Sequence, residues 1–405
     1  MLNNLKPTGV IDLGSYETKF IIFLVKDAKV EIVAKSIIKT KGIKKSIISD
    51  LNKLSDTIKE VIGTAEEQAK IQIQNIYLAP SPVNIYYTSF SVFKNIGGYE
   101  IEQEKDVQFL INGGVDLFRE LHQNYNILHL INSNLRIDKY NQVDNPIDLA
   151  ADSLESDMHI MYCKNNLIKN FQKIINKSYL KLDRLIYSPY TLNLLGHRES
   201  PLSENIMSID FGHEKTSLSI FKNDNLEFAS TIPIGSWHIT NDISKALNLN
   251  IEIAENLKIN YGTCSPDQQN ISKEYIESQN LEIKSYKKVS NNILNKIVMS
   301  RVEEIIDFIN KDLLFYSTSE KFFNKIIITG EGSKIRGFQN LLKKNLSIKS
   351  LIIENFNSKL KTNIPDNFDI CISMISLIIN PYNKEIPYFE NVKKNFFEKL
   401  YSIFS

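Results

Sequence analysis

Two stretches of this chain follow one plan, their Asp-x-Gly turns 198 residues apart. "GVIDLGSYETKFIIFLVKDAKVEIVAKSII" (residues 9 to 38) and "IMSIDFGHEKTSLSIFKNDNLEFASTIPIG" (206 to 235) each read as a strand, an Asp-x-Gly turn, a returning strand, a polar turn and a third strand. Asp12 and Asp210 are therefore equivalent positions of a duplication. A chain built this way is expected to form two similar α/β lobes, and 405 residues exceed what one hydrophobic core normally supports.

Each half supplies helices after its hairpins. "SDLNKLSDTIKEVIGTAEEQAK" (49 to 70) carries Ser49 or Asp50 as a cap and places Leu51, Leu54, Ile58, Val61, Ile62 and Ala65 on one face. "IEIAENLKINYG" (251 to 262) and "NNILNKIVMSRVEEIIDFINKDLL" (291 to 314) have the same spacing, and "NKIIITGEGSKIRGFQNLLKKNL" reads as a buried strand, a Gly-containing turn and an amphipathic helix. Residues 84 to 161 differ: alternating stretches such as "NIYYTSFSVF" and "YNILHLINSNLRI" predict strands around a helix near "EKDVQFLINGGVDLFREL", an inserted subdomain. No low-complexity linker separates the halves, so they are expected to pack across a shared cleft.

The 48 basic and 47 acidic side chains leave a formal charge of +1, which argues against a nucleic-acid partner engaged by bulk charge. No apolar run reaches the ~18 residues of a spanning helix, and the start has no leader-type apolar region, so a cytoplasmic location is expected. Cys163, Cys264 and Cys371 lie about a hundred residues apart without metal spacing and read as packing residues.

Two hairpin turns facing each other across a cleft can grip a phosphate chain, because backbone N–H groups at a tight turn point at an anion and glycine allows close approach. In "IDLGSYETK", Gly14 and Ser15 would present N–H groups and a hydroxyl, Lys19 would reach a phosphate oxygen, and Asp12 would accept from waters around Mg²⁺. An ordinary hairpin with a solvated Lys19 fits the same residues. In the second lobe the corresponding frame is Asp210, Gly212 and Thr216, with Lys215 as a further point charge. Gly330, Gly332 and Ser333 sit at a strand-to-helix turn suited to the base and ribose side of a nucleotide.

These three motifs, in order, resemble the phosphate 1, phosphate 2 and adenosine motifs of the actin-like ATPase fold. Within it the chain is most similar to the FtsA family of bacterial cell-division proteins. "STIPIGSWHITNDISKALNLNIEIAENLKINYG" resembles that family's Pro-x-Gly, "ITNDI" and "AExLKxxYG" segment, and "KGIKKSIISDLNKLSDTIKEVI", "VDNPIDLAADSLESDMHIMYC" and "LKLDRLIYSPY" match its first half. The resemblance implies subdomain 1A at 1–83 and 162–204, 1C at 84–161, 2A at 205–242 and 326–380, and 2B at 243–325. Residues 381–405 would be a linker and a membrane-targeting helix. It also implies ATP with Mg²⁺ near Asp12 and Asp210, Glu255 and Lys258 at the ribose and adenine edge, and filament formation. Arg301 and Glu304 would meet the C-terminal peptide of the tubulin-like FtsZ, and 1C would contact the next protomer or later division proteins. A solvated i, i+3 ion pair and a solvated helix face are the plain readings of the two residue pairs.

The family continues its second turn Gly-Gly-Thr-Thr-Asp, whereas this chain has His213, Glu214, Lys215, Thr216 and Ser217. A carboxylate about 6 Å from a phosphate charge at an effective dielectric near 20 is repelled by roughly 3 kcal/mol per unit charge unless it turns away. Lys215 and a protonated His213 would compensate. Weak or altered nucleotide binding and slow or absent hydrolysis are expected, and a turn kept only for folding is the alternative. The chain closes with "YFENVKKNFFEKLYSIFS", in which Val392, Phe396, Leu400, Ile403 and Phe404 share a helical face with Phe397 at its margin and lysines on the flanks. The expected function is an adaptor that polymerises and tethers FtsZ filaments peripherally to the inner face of the cell membrane at the division site. An active ATPase or phosphotransferase, or the related adaptor of type IV pilus assembly, are the alternatives.

Overall fold

The computed structural model describes residues 5–27, 29–80, 84–139, 141–198, 205–222, 225–265, 275–276, 289–316, 323, 325–346, 352–355 and 367–386. The two lobes carry five-stranded sheets of the same strand order. In the first, Lys29–Lys39 pairs antiparallel with Glu17–Lys26, which pairs antiparallel with Leu5–Leu13; Asn75–Pro80 and Lys181–Leu185 then follow in parallel. In the second, Asn225–Ile232, Thr216–Lys222 and Ile206–Phe211 form the same antiparallel meander, followed in parallel by Lys325–Thr329 and Ile352–Asn355. The duplication in sequence is thus a duplication of topology. Asp12 pairs with Lys19 and Asp210 with Ser217, each at the end of its hairpin.

Helix Leu51–Ala69 is capped by the Asp50 carboxylate, which accepts from the backbone N–H groups of Asn52 and Lys53. It buries Leu54, Ile58, Val61, Ile62 and Ala65 against the first sheet. Helices Ser188–Arg198 and Asp369–Ile379 pack on each other between the lobes, and their core takes in Ile206, Phe221 and Ile327 of the second sheet. A separate core under the second sheet collects Ile239 and Ile243 of helix Ser236–Leu247, Ala254 and Leu257 of helix Ile251–Tyr261, and Val298, Val302 and Ile305 of helix Asn291–Tyr316.

The insertion has its own sheet and its own core. Tyr86–Glu100, Ala150–Lys164 and Tyr125–Ile137 are antiparallel neighbours, and helix Gln108–Leu121 lays Leu110, Ile111, Val115 and Phe118 on them. One strand of this sheet was not anticipated: Glu385–Ile386, from the segment read as linker, returns to pair with Ile131 and Leu130. The amphipathic stretch from Val392 to Phe404 lies outside the described residues. Among the described residues, no helix is long and apolar enough to cross a membrane, and all three cysteines are buried as free thiols.

Candidate functional site

The hairpin turns of both lobes open onto one cavity of about 490 Å³. Of the residues singled out from sequence, Asp12, Gly14, Ser15, Lys19, Asp210, Gly212, His213, Glu255, Lys258 and Gly330 line it. Two buried side-chain atoms on this wall, Ser15 Oγ and Asn367 Oδ1, have no hydrogen-bond partner in the protein. Buried polar atoms are rarely left so. Gly330 adopts φ +85°, and a Cβ there would sit 2.3 Å from the Phe211 carbonyl oxygen, so only glycine brings the third motif this close to the second hairpin.

Other residues of the sequence-based set take structural rather than lining positions. Gly332 packs against the Phe211 ring, where a Cβ would lie 2.6 Å from Cδ2. The Ser333 hydroxyl donates to the Gly330 carbonyl at 2.7 Å and so closes the turn on itself. Thr216 is buried with its hydroxyl donating to the Ile234 carbonyl at 2.8 Å, and Lys215 is buried beneath the turn. Glu331, Lys334 and Arg336 join the wall from the segment after Gly330, and Asn367 comes from the entry to the last helix. Their contribution depends on tertiary packing, and no motif marks Asn367.

Asp12, Lys19 and Asp210 line the cavity, and the buried Lys215 acts on both carboxylates electrostatically. Burial pushes the Asp12 carboxyl up to about 7, offset by the ammonium of Lys19 and reinforced by Asp210. Burial also raises Asp210, against the pull of Lys215 and Lys19. Lys215, 6% exposed, is pushed down to about 8 by burial, with Asp210 and Asp12 opposing the shift.

The damaged turn behaves differently from its reading in sequence. Glu214 does not face the cavity. Its carboxylate accepts from the backbone N–H of Lys45 at 2.8 Å, from the N–H of Ser46, and from the Ser46 hydroxyl at 3.2 Å. Lys45 and Ser46 are the two central residues of the hairpin Ile43–Lys44/Ile47–Ile48 in the first lobe, both left-handed at φ 52° and 54°. That turn geometry normally takes Asn-Gly. Here a carboxylate from the opposite lobe holds it. The expected repulsion between Glu214 and a phosphate is therefore corrected: the side chain is spent on an interlobe contact. His213 is corrected as well. Burial, with Lys258 adding, pushes its imidazole down to about 4, so it is neutral near pH 7, and its ring packs 5.0 Å from Tyr16 of the first lobe.

Glu255 and Lys258 form an ion pair in which the lysine is buried and the glutamate half-buried, not a solvated one. The Lys258 ammonium donates to Glu255 Oε2 at 2.8 Å and to the Thr240 hydroxyl at 2.9 Å, and burial lowers its pKa. Away from the cleft, Arg301 and Glu304 do come together, with Arg301 also bound to Asp242 at 2.6 Å. They line a shallow groove with Lys245, Lys296 and Ile297. Asp242, on the facing helix, was missed because nothing in the spacing of either helix reports which face meets the other.

A family model described as cell division protein FtsA matches residues 207–369, and one described as the SHS2 domain inserted in FtsA matches residues 84–162. Together they cover more than half of the chain. Cell division protein FtsA of Buchnera aphidicola subsp. Baizongia pistaciae is 27% identical over 86% of this chain and 84% of its own length. That of Rhizobium meliloti is 23% identical over 76% and 70%. Among solved structures, the PilM–PilN type IV pilus biogenesis complex superposes with a TM-score of 0.63 at 13% identity, covering 93% of this chain and 99% of that one. MreB5 of Spiroplasma citri bound to AMPPNP gives 0.52 at 11%, covering 92% and 96%. Two lobes of duplicated topology, the inserted third sheet and the matches to both parts agree: the chain belongs to the FtsA family of cell-division proteins, on the actin-like ATPase fold.

Proposed function

We propose that this chain is an ATP-binding scaffold that polymerises and tethers FtsZ filaments to the inner face of the cell membrane at the division site. The observation that carries the nucleotide part is the pair of facing hairpins that bring Asp12, Gly14, Ser15 and Lys19 of one lobe and Asp210 and Gly212 of the other to one cavity. Gly14, Ser15 and Lys19 from one lobe and Gly212 from the other would hold the phosphates, and the Glu255–Lys258 pair with Gly330 would flank the nucleoside. A bound nucleoside triphosphate would supply a ligand common to both lobes, so occupancy and lobe arrangement are linked. Hydrolysis requires an aligned water and stabilisation of the γ-phosphate in transfer. The altered second turn sends the Glu214 carboxylate to the other lobe, while His213 lines the cavity and packs on Tyr16 of that lobe, which favours a scaffold over an ATPase.

FtsZ binding is assigned to the groove of Arg301, Lys245 and Lys296, whose cations suit a peptide carboxylate. Arg301 already serves Asp242 and Glu304, so an incoming carboxylate must displace one of them. Arg301→Ala is expected to weaken binding of the FtsZ C-terminal peptide about tenfold or more by fluorescence anisotropy; an unchanged affinity would place the peptide elsewhere. The last residues would insert their apolar face into a bilayer, each helix reversibly and a polymer of them by avidity. The test is co-sedimentation of FtsZ with anionic vesicles. The full chain should carry FtsZ into the pellet, and deletion of residues 389–405 should leave it in the supernatant. Membrane recovery that survives the deletion would refute the tether.

A further inference from the structure

The second lobe is held to the rest of the chain at three levels along its sheet. At the mouth of the cleft, Glu214 accepts from Lys45 and Ser46. Next along the strands, the Tyr187 hydroxyl donates to the Ser230 carbonyl at 2.7 Å, and the Asn193 amide donates to the Ser219 carbonyl at 2.7 Å. The third level belongs to the insertion. The Tyr87 hydroxyl donates to the Glu227 carbonyl at 2.7 Å, with its ring 6.0 Å from that of Phe228. Asn225, 5% exposed, donates to Asn134 Oδ1 at 3.0 Å and accepts from the Lys384 ammonium at 2.7 Å. Asn225 and Glu227 lie on the edge strand Asn225–Ile232, which pairs Ile232 with Thr216 at the second turn. At ~3.3 Å per residue, Glu227 is roughly 15 Å from that turn, at the end of the sheet remote from the cleft.

The direction of the Tyr87 hydroxyl is set from within the insertion. A phenol carries one proton and a carbonyl can only accept, so Tyr87 gives its proton to Glu227 and accepts from His159 Nδ1 at 2.7 Å. Burial pushes the His159 imidazole down to about 4, so it is neutral near pH 7 and accepts at Nε2 from the Ser133 hydroxyl at 2.9 Å. The insertion is in turn fixed to the first lobe, where the Tyr187 backbone N–H donates to His129 Nε2 at 2.9 Å. Rocking of the second lobe about the middle contacts therefore moves its mouth end and its far end in opposite directions. The Glu214 contact and the Tyr87 contact form together at one lobe angle. Leaving that angle strips the buried Asn225 amide of its partners, a costly loss for a group away from water.

We propose that the insertion is a second clasp on the nucleotide-binding arrangement, so that ATP in the cleft seats the insertion on strand Asn225–Ile232, and a partner that draws the insertion off that strand weakens ATP binding. This rests on the nucleotide reading above and adds to it the element through which the cleft is regulated. The coupling is reciprocal, because linkage between two binding events has the same magnitude in both directions.

The test is hydrogen exchange of the full chain over residues 225–228, with and without saturating ATP, beside calorimetric titration with ATP. In wild type, ATP is expected to slow exchange over those residues about fivefold or more, as a local opening is suppressed. Tyr87→Phe keeps the ring and removes the donor. It should exchange faster there without ligand and bind ATP about fivefold more weakly, the scale of one ordinary hydrogen bond. Wild-type exchange indifferent to ATP, or an unchanged ATP affinity in Tyr87→Phe, would overturn the linkage while leaving the nucleotide reading intact. Should Tyr87→Phe not fold, as judged by circular dichroism, the wild-type exchange alone decides. No heat of ATP binding from folded wild-type protein would overturn the nucleotide reading itself, and this inference with it.

Discussion

Glu385→Ala is expected to destabilise the chain by about 3–5 kcal/mol, the usual consequence of leaving one partner of a buried ion pair uncompensated. The Glu385 side chain, in a residue 5% exposed, accepts from Arg184, from His129 Nδ1 at 2.7 Å and from the Tyr190 hydroxyl at 3.0 Å. The backbone N–H of Tyr187 donates to His129 Nε2, which places the imidazole proton on Nδ1, facing Glu385. Burial alone would raise the Glu385 carboxyl, but Arg184 and His129 outweigh it and hold it at about 2. A group whose folded pKa lies below its unfolded value contributes stability that is present above the unfolded value and lost as pH falls toward the folded one. The deficit of Glu385→Gln relative to wild type is therefore expected to be full at pH 7 and to shrink between about pH 4.5 and pH 2. Urea denaturation across that range measures it, and a deficit independent of pH would mean that shape, not charge, is what the site requires. The same side chain clips the end of the described chain to the insertion, where the Lys384 carbonyl accepts from Asn132 N–H at 2.9 Å. The substitution should accordingly expose the segment around Pro381 to protease before the lobes unfold.

Sequence patterning was most informative where a periodicity or a duplication acts locally. The paired meanders, the Asp50 cap and the buried stripe of helix Leu51–Ala69 each follow from neighbours in sequence. The inserted strands alternate, so they were legible too. Glu385–Ile386 was not, since a two-residue strand has no period and its pairing is fixed by partners more than 240 residues away. The site divides along the same line. Gly14, Ser15, Lys19 and Gly330 face the cavity because turn geometry is a local property. Whether Glu214 faces a phosphate or a backbone depends on where the other lobe's hairpin lies, and no spacing within 206–235 encodes that. Thr216 holds the frame of its turn, as its place in the hairpin predicts, and Ser333 and Gly332 make contacts within theirs, with the Gly330 carbonyl and the Phe211 ring.

Glu214→Ala is expected to open the cleft, and the direction of its effect on ATP separates two accounts of the second turn. If the carboxylate repelled phosphate, removing it would tighten binding. In the structure it instead accepts three hydrogen bonds from Lys45 and Ser46, joining the lobes at a hairpin whose two left-handed residues are not glycine. Hydrogen bonds to a charged group are worth about 1.5–3 kcal/mol each when protected. The pair here is half-exposed, so a net bias of about 2 kcal/mol toward the closed arrangement is a reasonable scale, equivalent to roughly a thirtyfold change in the open-to-closed ratio. A ligand that touches both lobes must supply that closure itself once the latch is gone, and its apparent affinity falls by the lost fraction of closed protein. Small-angle scattering should show a larger radius of gyration for the variant without nucleotide, and ATP should bind more weakly than to wild type. Ser46→Ala, which removes only the hydroxyl donor at 3.2 Å and leaves both backbone donors, should have a much smaller effect. Tighter ATP binding by Glu214→Ala at an unchanged radius would return the side chain to the cavity and sink the latch. The expected weakening would instead explain why a carboxylate sits in the second turn at all: it holds the lobes together.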